Sequence, residues 1–480
     1  MEMFEVILEG SGPYGFRLTG GVDCRMPMRI AKVTEGSLAA KSPLSAGQRI
    51  VKINGKSTSA MPQVMAQSAV LASKRNLSLT LYGKMRSPLP QEDQNWSEAL
   101  GGEANDPEDD TISVDSWATT VTDIRDNPCP KTVPGVTRSI YKRGRFRGPW
   151  KTDFDEVQHL KMKLTENDPK LPSKKVLCET LPVVTPDFEE PCPDAGLRVT
   201  WLGHNTLLVE MDGLTILTDP VFSSTTGLFK SSTFQWHKRY RPSPCKIKEL
   251  PKIDAVIISN NHYDSLDYKS VRDLNWRFKD SLHWFIPAGL QHWFRFWIGC
   301  KNVHELDWGE EESIPDRPDI RFIFTPSQGW SGREVCDKDQ SLWGGWCVIG
   351  LTKRFYFVGE TGYCEAFKET GELFGPFDLA AIPIGGYGPK WFFGNHRTTP
   401  SQALRIHRDI KSNKSIGIHW GTFPQGNEPY MEPREDLKKC LKKRGVSSDA
   451  FVTVSHGETM TLEEPVASAE DPAVTTEELS

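Results

Sequence analysis

The run LRVTWLGHNTLLVE (residues 197–210) reads as a β-hairpin, and DGLTILTDPVF (212–222) follows as a third strand ending at Asp219-Pro220. Next, DAVIISNNHYDSLDY (254–268) sets a polar cluster, Asn260 to Ser265, in the loop after a buried strand. Three later strand ends repeat the theme: TPSQGW (325–330), GETGY (359–363) and IHWGTF (418–423). Polar residues gathered behind strand C-termini are where layered α/β folds carry their chemistry.

Outward from this centre, residues 136–462 keep an α/β pattern. Further strand-like runs fall at 321–324, 346–350, 355–358, 380–384 and 416–419. Helices intervene, one opened by the cap signal Thr399-Pro400 and one over 433–443. Residues 1–83 form a separate β-rich block, a small barrel or sandwich, with strands near 4–8, 29–33, 49–53 and 77–81 and a helix over 61–73. The stretch 84–135 is acidic and poor in aliphatic runs, so a disordered linker is expected there, and 463–480 reads as an acidic tail. The chain is therefore multidomain.

Composition excludes several classes. In 480 residues, 58 Lys+Arg stand against 63 Asp+Glu, a net charge of −5 that argues against nucleic-acid binding driven by overall basicity. The opening MEMFEVILEG has no signal-peptide pattern, and no apolar run approaches the ~20 residues of a membrane span. Ten scattered cysteines without CxxC pairs suggest reduced thiols and a cytoplasmic protein.

In the first block, PYGFRLTGG (13–21), Met26-Pro27, Gly36-Ser37 and GQRIVKINGKSTSAM (47–61) together resemble a PDZ domain of the Enigma type. The resemblance implies a carboxylate-binding loop at Pro13, Tyr14, Gly15 and Phe16, beside a sheet edge that a C-terminal peptide extends by main-chain hydrogen bonds. Phe16, Leu18 and Val70 would line the pocket for the last side chain. Gln63 stands at the helix position where PDZ domains preferring Ser or Thr carry His, so the ligand class stays open. Enigma-type domains associate with actinin and the actin cytoskeleton, which makes that the expected address.

From about residue 141 to 457 the chain resembles N-acyl-phosphatidylethanolamine-hydrolysing phospholipase D, of the metallo-β-lactamase superfamily. The words GLRVTWLGH, LTDPVFSS, TPSQ, FGPFDLAAIPIGGY and IHWGTF carry the match and imply an αββα sandwich. In that family an HxHxDH loop, a later His, a bridging Asp and a final His hold two zinc ions that generate a hydroxide. Carried over by position, the implied metal ligands here are His262, Asp264, Glu360 and His419, with Asp264 and Glu360 as residual catalytic candidates. Asn260, Ser265 and Gly329 replace three histidines, and Glu360 replaces the bridging Asp. Four of the seven ligand positions are thus substituted. The expectation is no cofactor, or at most one Zn, Mn or Fe ion.

Asn395 and His396 match positions near the substrate phosphate, whereas His204 and His456 match the site rims, with a structural or supporting role expected of each. Aromatic runs at 284–285, 293–298 and 391–393, with the basic turn 142–147, are candidates for contact with phospholipid. Three functions remain open: a PDZ-targeted pseudoenzyme acting as scaffold or lipid-binding module; an active phospholipase D using one metal, which releases N-acylethanolamine; and a peptide-binding module whose second domain is inert. The family's members form dimers, so a homodimer is a further expectation by resemblance.

Overall fold

The computed structural model describes residues 2–10, 14–21, 26–34, 36–58, 61, 66, 69–70, 73, 76–83, 130–150, 172–189, 192–193, 196–227, 238–333, 337–393 and 395–462. The chain divides into two compact units, Met1–Ile124 and Arg125–Ser480. The acidic stretch 84–129 and the tail 463–480 lie outside the described residues.

In the first unit, strands Glu2–Glu9, Asn76–Gly83, Arg49–Ile53, Met26–Val33 and Phe16–Gly21 lie side by side in that order, and Lys56–Ser57 pairs with Arg49–Ile53. Alternation fixes their faces: Leu77, Leu79 and Leu81 enter a core with Val6, Ile30 and Ile50, while the residues between them are more exposed. Phe16–Gly21 ends the row and presents a sheet edge. Just before it, Tyr14 O accepts from Ala39 N (2.9 Å) and Gly15 O from Thr34 N (2.7 Å), while the Tyr14 hydroxyl donates to Ser73 O. Gly15 has φ +81°, and a Cβ there would lie 2.0 Å from the Ser37 Cβ. Any side chain at this position would break the turn by strain, whatever its charge.

The second unit stacks two mixed sheets. One orders Asn302–Leu306, His283–Pro287, Ala255–Ile257, Leu214–Thr218, Thr206–Met211, Leu197–Gly203 and Thr459–Leu462. The other orders Phe451–Val452, Ser412–Ile418, Phe377–Pro383, Arg354–Phe357, Gly345–Ile349, Arg317–Thr325, Glu310–Ile314 and Lys131–Thr132. Parallel strands need crossovers and covered faces, and the alternation shows both faces of the first sheet buried. Ala255 and Ile257 enter the core shared with the second sheet, whereas Val256 and Ile258 pack in an outer core with Val271 and Leu274 of helix Tyr268–Phe278. Helices Ala366–Leu373, Pro400–Asp409 and Glu432–Arg444 contribute Phe367, Leu404 and Leu437 to the core of the second sheet. The result is the αββα layering of the metallo-β-lactamase fold.

Helix Pro400–Asp409 begins as its sequence demands: Thr399 Oγ1 accepts from Gln402 N (3.4 Å) and Gln402 Oε1 from Thr399 N (3.0 Å), a reciprocal cap with Pro at the first turn. Two expectations need correcting. The stretch expected to be a linker through 135 is already paired at Lys131–Thr132, opposite Glu310–Glu311, because a sheet edge supplies the hydrogen bonds that its composition does not signal. Several aromatics offered for lipid contact are core: Trp284, Phe285 and Phe294 are each 0% exposed. Trp284 and Phe285 form a parallel strand buried on both faces. Phe296 and Trp391 do remain exposed. Among the described residues no helix is long and apolar enough to cross a membrane.

Candidate metal centre

Four chain segments converge behind the strands. His204 sits in the turn between Leu197–Gly203 and Thr206–Met211, with the strained φ of +56°. His262 and Asp264 lie in the loop after Ala255–Ile257, Glu360 follows Arg354–Phe357, and His419 follows Ser412–Ile418 with φ +61°. The two left-handed histidines face each other, rings 4.1 Å apart, and His419 N donates to His204 O (3.1 Å). Non-glycine residues held in this region are costly and cluster at functional sites.

The side chains form one connected network. His204 Nε2 is 2.9 Å from Asp264 Oδ2, which also accepts from Gln425 Nε2 at 2.9 Å. His262 Nδ1 lies 3.2 Å from Glu360 Oε2, and His419 Nε2 lies 3.7 Å from both Asp264 Oδ2 and Glu360 Oε2. Two trios of possible metal ligands share Asp264: His204, Asp264 and His419; and His262, Asp264 and Glu360. Within each, the ligand atoms lie within 4.8 Å of one another. Into the same space reaches Arg397. Its Nη2 is 2.9 Å from Glu360 Oε1, and its Nη1 donates to His419 Nε2 at 2.8 Å.

Burial opposes charge on both carboxylates, yet the partners win. The hydrogen bond with His204, with His419 and the Arg397 charge nearby, holds Asp264 well below its usual pKa. The Arg397 and His262 charges do the same for Glu360. At His419, burial and Arg397 oppose protonation, but the neighbouring Asp264 and Glu360 carboxylates, each 3.7 Å from Nε2, outweigh them and raise the pKa. The Arg397 contact needs the Nε2 lone pair, so that bond and a proton on Nε2 exclude each other. His204 goes the other way, lowered to about 4 by burial first and then by His419.

His456, stacked on Trp201 at 4.4 Å, is lowered to about 3 by burial and then by Arg239 and Arg241. Because the folded pKa of His204 and of His456 lies below the unfolded value, the unfolded chain takes up protons first as pH falls. Stability is full above about 6.5 and is lost toward 4. Acidifying from pH 7 to 5 is expected to cost roughly 2 kcal/mol per group, read as a falling Tm. His456→Phe, which keeps the ring stack, should flatten that slope; an unchanged slope would mean His456 is already charged in the fold.

The sequence-derived residues divide clearly. His262, Asp264, Glu360 and His419 come together. Asn260 Oδ1 accepts from His262 N (3.1 Å), bracing its own loop. Ser265 is fully buried, and a Cβ on Gly329 would lie 3.0 Å from Trp343 Cδ1. Asn395 is exposed and His396 buried. In the first unit, Phe16 and Val70 pack at the rim of the core that holds Leu18, while Pro13 and Gln63 lie outside the described residues. His204 is not a rim residue but part of the cluster, brought there by the hairpin turn. Arg397 and Gln425 were missed. No spacing rule points to a lone arginine in a loop, although NHRTTP directly precedes the capped helix.

Comparison with known proteins agrees with this architecture. Residues 5–82 match the family model described as PDZ domain, and 215–420 that described as Beta-lactamase superfamily domain. The chain is 42% identical over 297 residues to N-acyl-phosphatidylethanolamine-hydrolyzing phospholipase D 1 of Caenorhabditis elegans, covering 60% of this chain and 82% of that protein. It is 36% identical over 331 residues to the mitochondrial N-acyl-phosphatidylethanolamine-hydrolyzing phospholipase D of Saccharomyces cerevisiae, covering 66% and 67%. The first unit is 46% identical over 87 residues to LIM domain-binding protein 3 of Mus musculus, 18% of this chain and 12% of that one. With an Enigma-type PDZ domain ahead of its αββα region, the chain belongs to the family of N-acyl-phosphatidylethanolamine-hydrolysing phospholipase D.

Proposed function

We propose that this protein is a PDZ-targeted member of the family that no longer hydrolyses its lipid and serves as a scaffold or lipid-binding module. One observation carries the reading: three of the positions where the family's ligands are expected offer a metal nothing of use. Asn260 is turned onto its own loop, Ser265 is a neutral hydroxyl, and Gly329 has no side chain, with Trp343 beside it. As arranged, the remaining donors do not fit a resident ion, because Arg397 already holds Glu360 and His419.

The first unit would supply the address, binding a peptide that ends in a free carboxylate along the edge of Phe16–Gly21. Exposed Phe296 and Trp391 support contact with a lipid surface, and the seven described cysteines, all free thiols, support a cytoplasmic setting.

A second reading, a one-metal phospholipase D, is favoured by the ligand trios that share Asp264. Incubation of the full chain with N-acyl-phosphatidylethanolamine vesicles and Zn, Mn or Fe separates the two. The expected result is saturable vesicle binding without phosphatidic acid. Release of phosphatidic acid that Asp264→Ala abolishes would establish the second reading instead.

A further inference from the structure

Two carboxylates buried together are costly unless positive charge sits with them; in a metallohydrolase the ion supplies it. Here the chain supplies its own. The Arg397 side chain is 12% exposed and Glu360 4%. Its guanidinium spans the cluster, Nη2 on Glu360 Oε1 at 2.9 Å and Nη1 on His419 Nε2 at 2.8 Å. The network closes through Gln425, whose Oε1 lies 3.4 Å from Arg397 Nη2 and whose Nε2 donates to Asp264 at 2.9 Å.

The arginine is held in place by its backbone. Arg397 N donates to Phe393 O (3.0 Å), and Thr398 Oγ1 to the carbonyl of Thr361, the residue after Glu360 (2.6 Å). The two oxygens of Glu360 share the work: Oε2 faces His262 and His419, and Oε1 takes the guanidinium. A guanidinium is charged at every physiological pH and carries a planar fork of donors, so it satisfies such a cluster without exchange.

We propose that Arg397 is a built-in substitute for the metal ion, and that its removal uncovers a latent site for one divalent cation on Asp264, Glu360 and His419. The inference rests on the reading above, that the protein does not hydrolyse, and adds what excludes the ion. One imidazole and two carboxylates are a chemically sound set for a single zinc or manganese.

The test uses the full chain as wild type, Arg397→Ala and Arg397→Gln, each stripped with chelator and titrated with Zn2+. Stoichiometry is read by elemental mass spectrometry and heat, and Tm is followed with and without zinc. Wild type should take up none. Each variant should melt lower than wild type, bind one equivalent with affinity raised at least about 100-fold, since a paired guanidinium no longer has to be displaced, and regain Tm with zinc. Adding His419→Ala should abolish that uptake. A variant too unstable to fold without zinc but folded with it gives the same answer.

Stoichiometric zinc on wild type, or none on either variant whether folded or not, overturns the inference. The outcomes stay separable from the functional reading. Inactive wild type with zinc-blind variants removes only the role of Arg397, whereas wild-type release of phosphatidic acid removes the proposed loss of hydrolysis.

Discussion

Glu360→Ala is expected to cost about 3–5 kcal/mol of stability in the second unit, among the largest effects of any single change there. The reason is the charge left behind: Arg397 keeps its guanidinium among buried groups, with Gln425 and His419 but no carboxylate partner on its Glu360 side. His262 Nδ1 loses its acceptor as well. Pairing the change with its partner gives the sharper test. Glu360→Gln with Arg397→Met removes both charges, and such replacements often cost less than breaking the pair. Urea unfolding of the two singles and the double should therefore show strong coupling. Costs that simply add would mean the two side chains do not meet.

Trp201→Ala should cost a similar amount, about 3–5 kcal/mol, but by a different physical route. The indole is 0% exposed, stacked between Trp420 at 5.5 Å and His456 at 4.4 Å. Its removal opens a cavity between sheets that cannot collapse around it. Its Nε1 also donates to His204 O (3.0 Å), the carbonyl that accepts from His419 N. Trp201→Phe keeps part of the stack but loses that bond and leaves a smaller cavity, so a loss of about 1–3 kcal/mol, below that of Ala, is expected. Equal losses for Ala and Phe, measured by urea unfolding, would show that the hydrogen bond rather than the packing dominates.

How far the sequence reaches depends on the range of the interaction concerned. Thr399-Pro400 announced its helix because a cap is a contact between residues three apart. The strands before Asn260, Glu360 and His419 were legible as short β-branched or aromatic runs, and the cluster followed from their shared polarity at strand ends. His283–Pro287 escaped because a strand buried on both faces has no alternation to read. Arg397 was invisible for a deeper reason. Its meaning lies in Glu360 and His419, each tens of residues away, and only the pairing of Phe377–Pro383 with its parallel neighbours brings them within 3 Å. His204 looked peripheral for the same reason, since the reach of a hairpin tip is set by the sheet and not by its own sequence.

Gly329 also bears on the history of the site. Where a histidine would have to stand, Trp343 has closed in, its Nε1 donating to Ser327 O (3.1 Å) and its own carbonyl accepting from Trp308 Nε1 (2.6 Å). Restoring the lost side chain alone would push against a residue locked from two sides, so the first step back is uphill even before a metal can reward it. Reversal would require Trp343 and Arg397 to change together with the substituted ligand positions, Gly329 among them. On the reading proposed above, missing ligands have thereby become an evolutionary ratchet: descendants of this chain would drift toward new uses of the fold more readily than return to the old one.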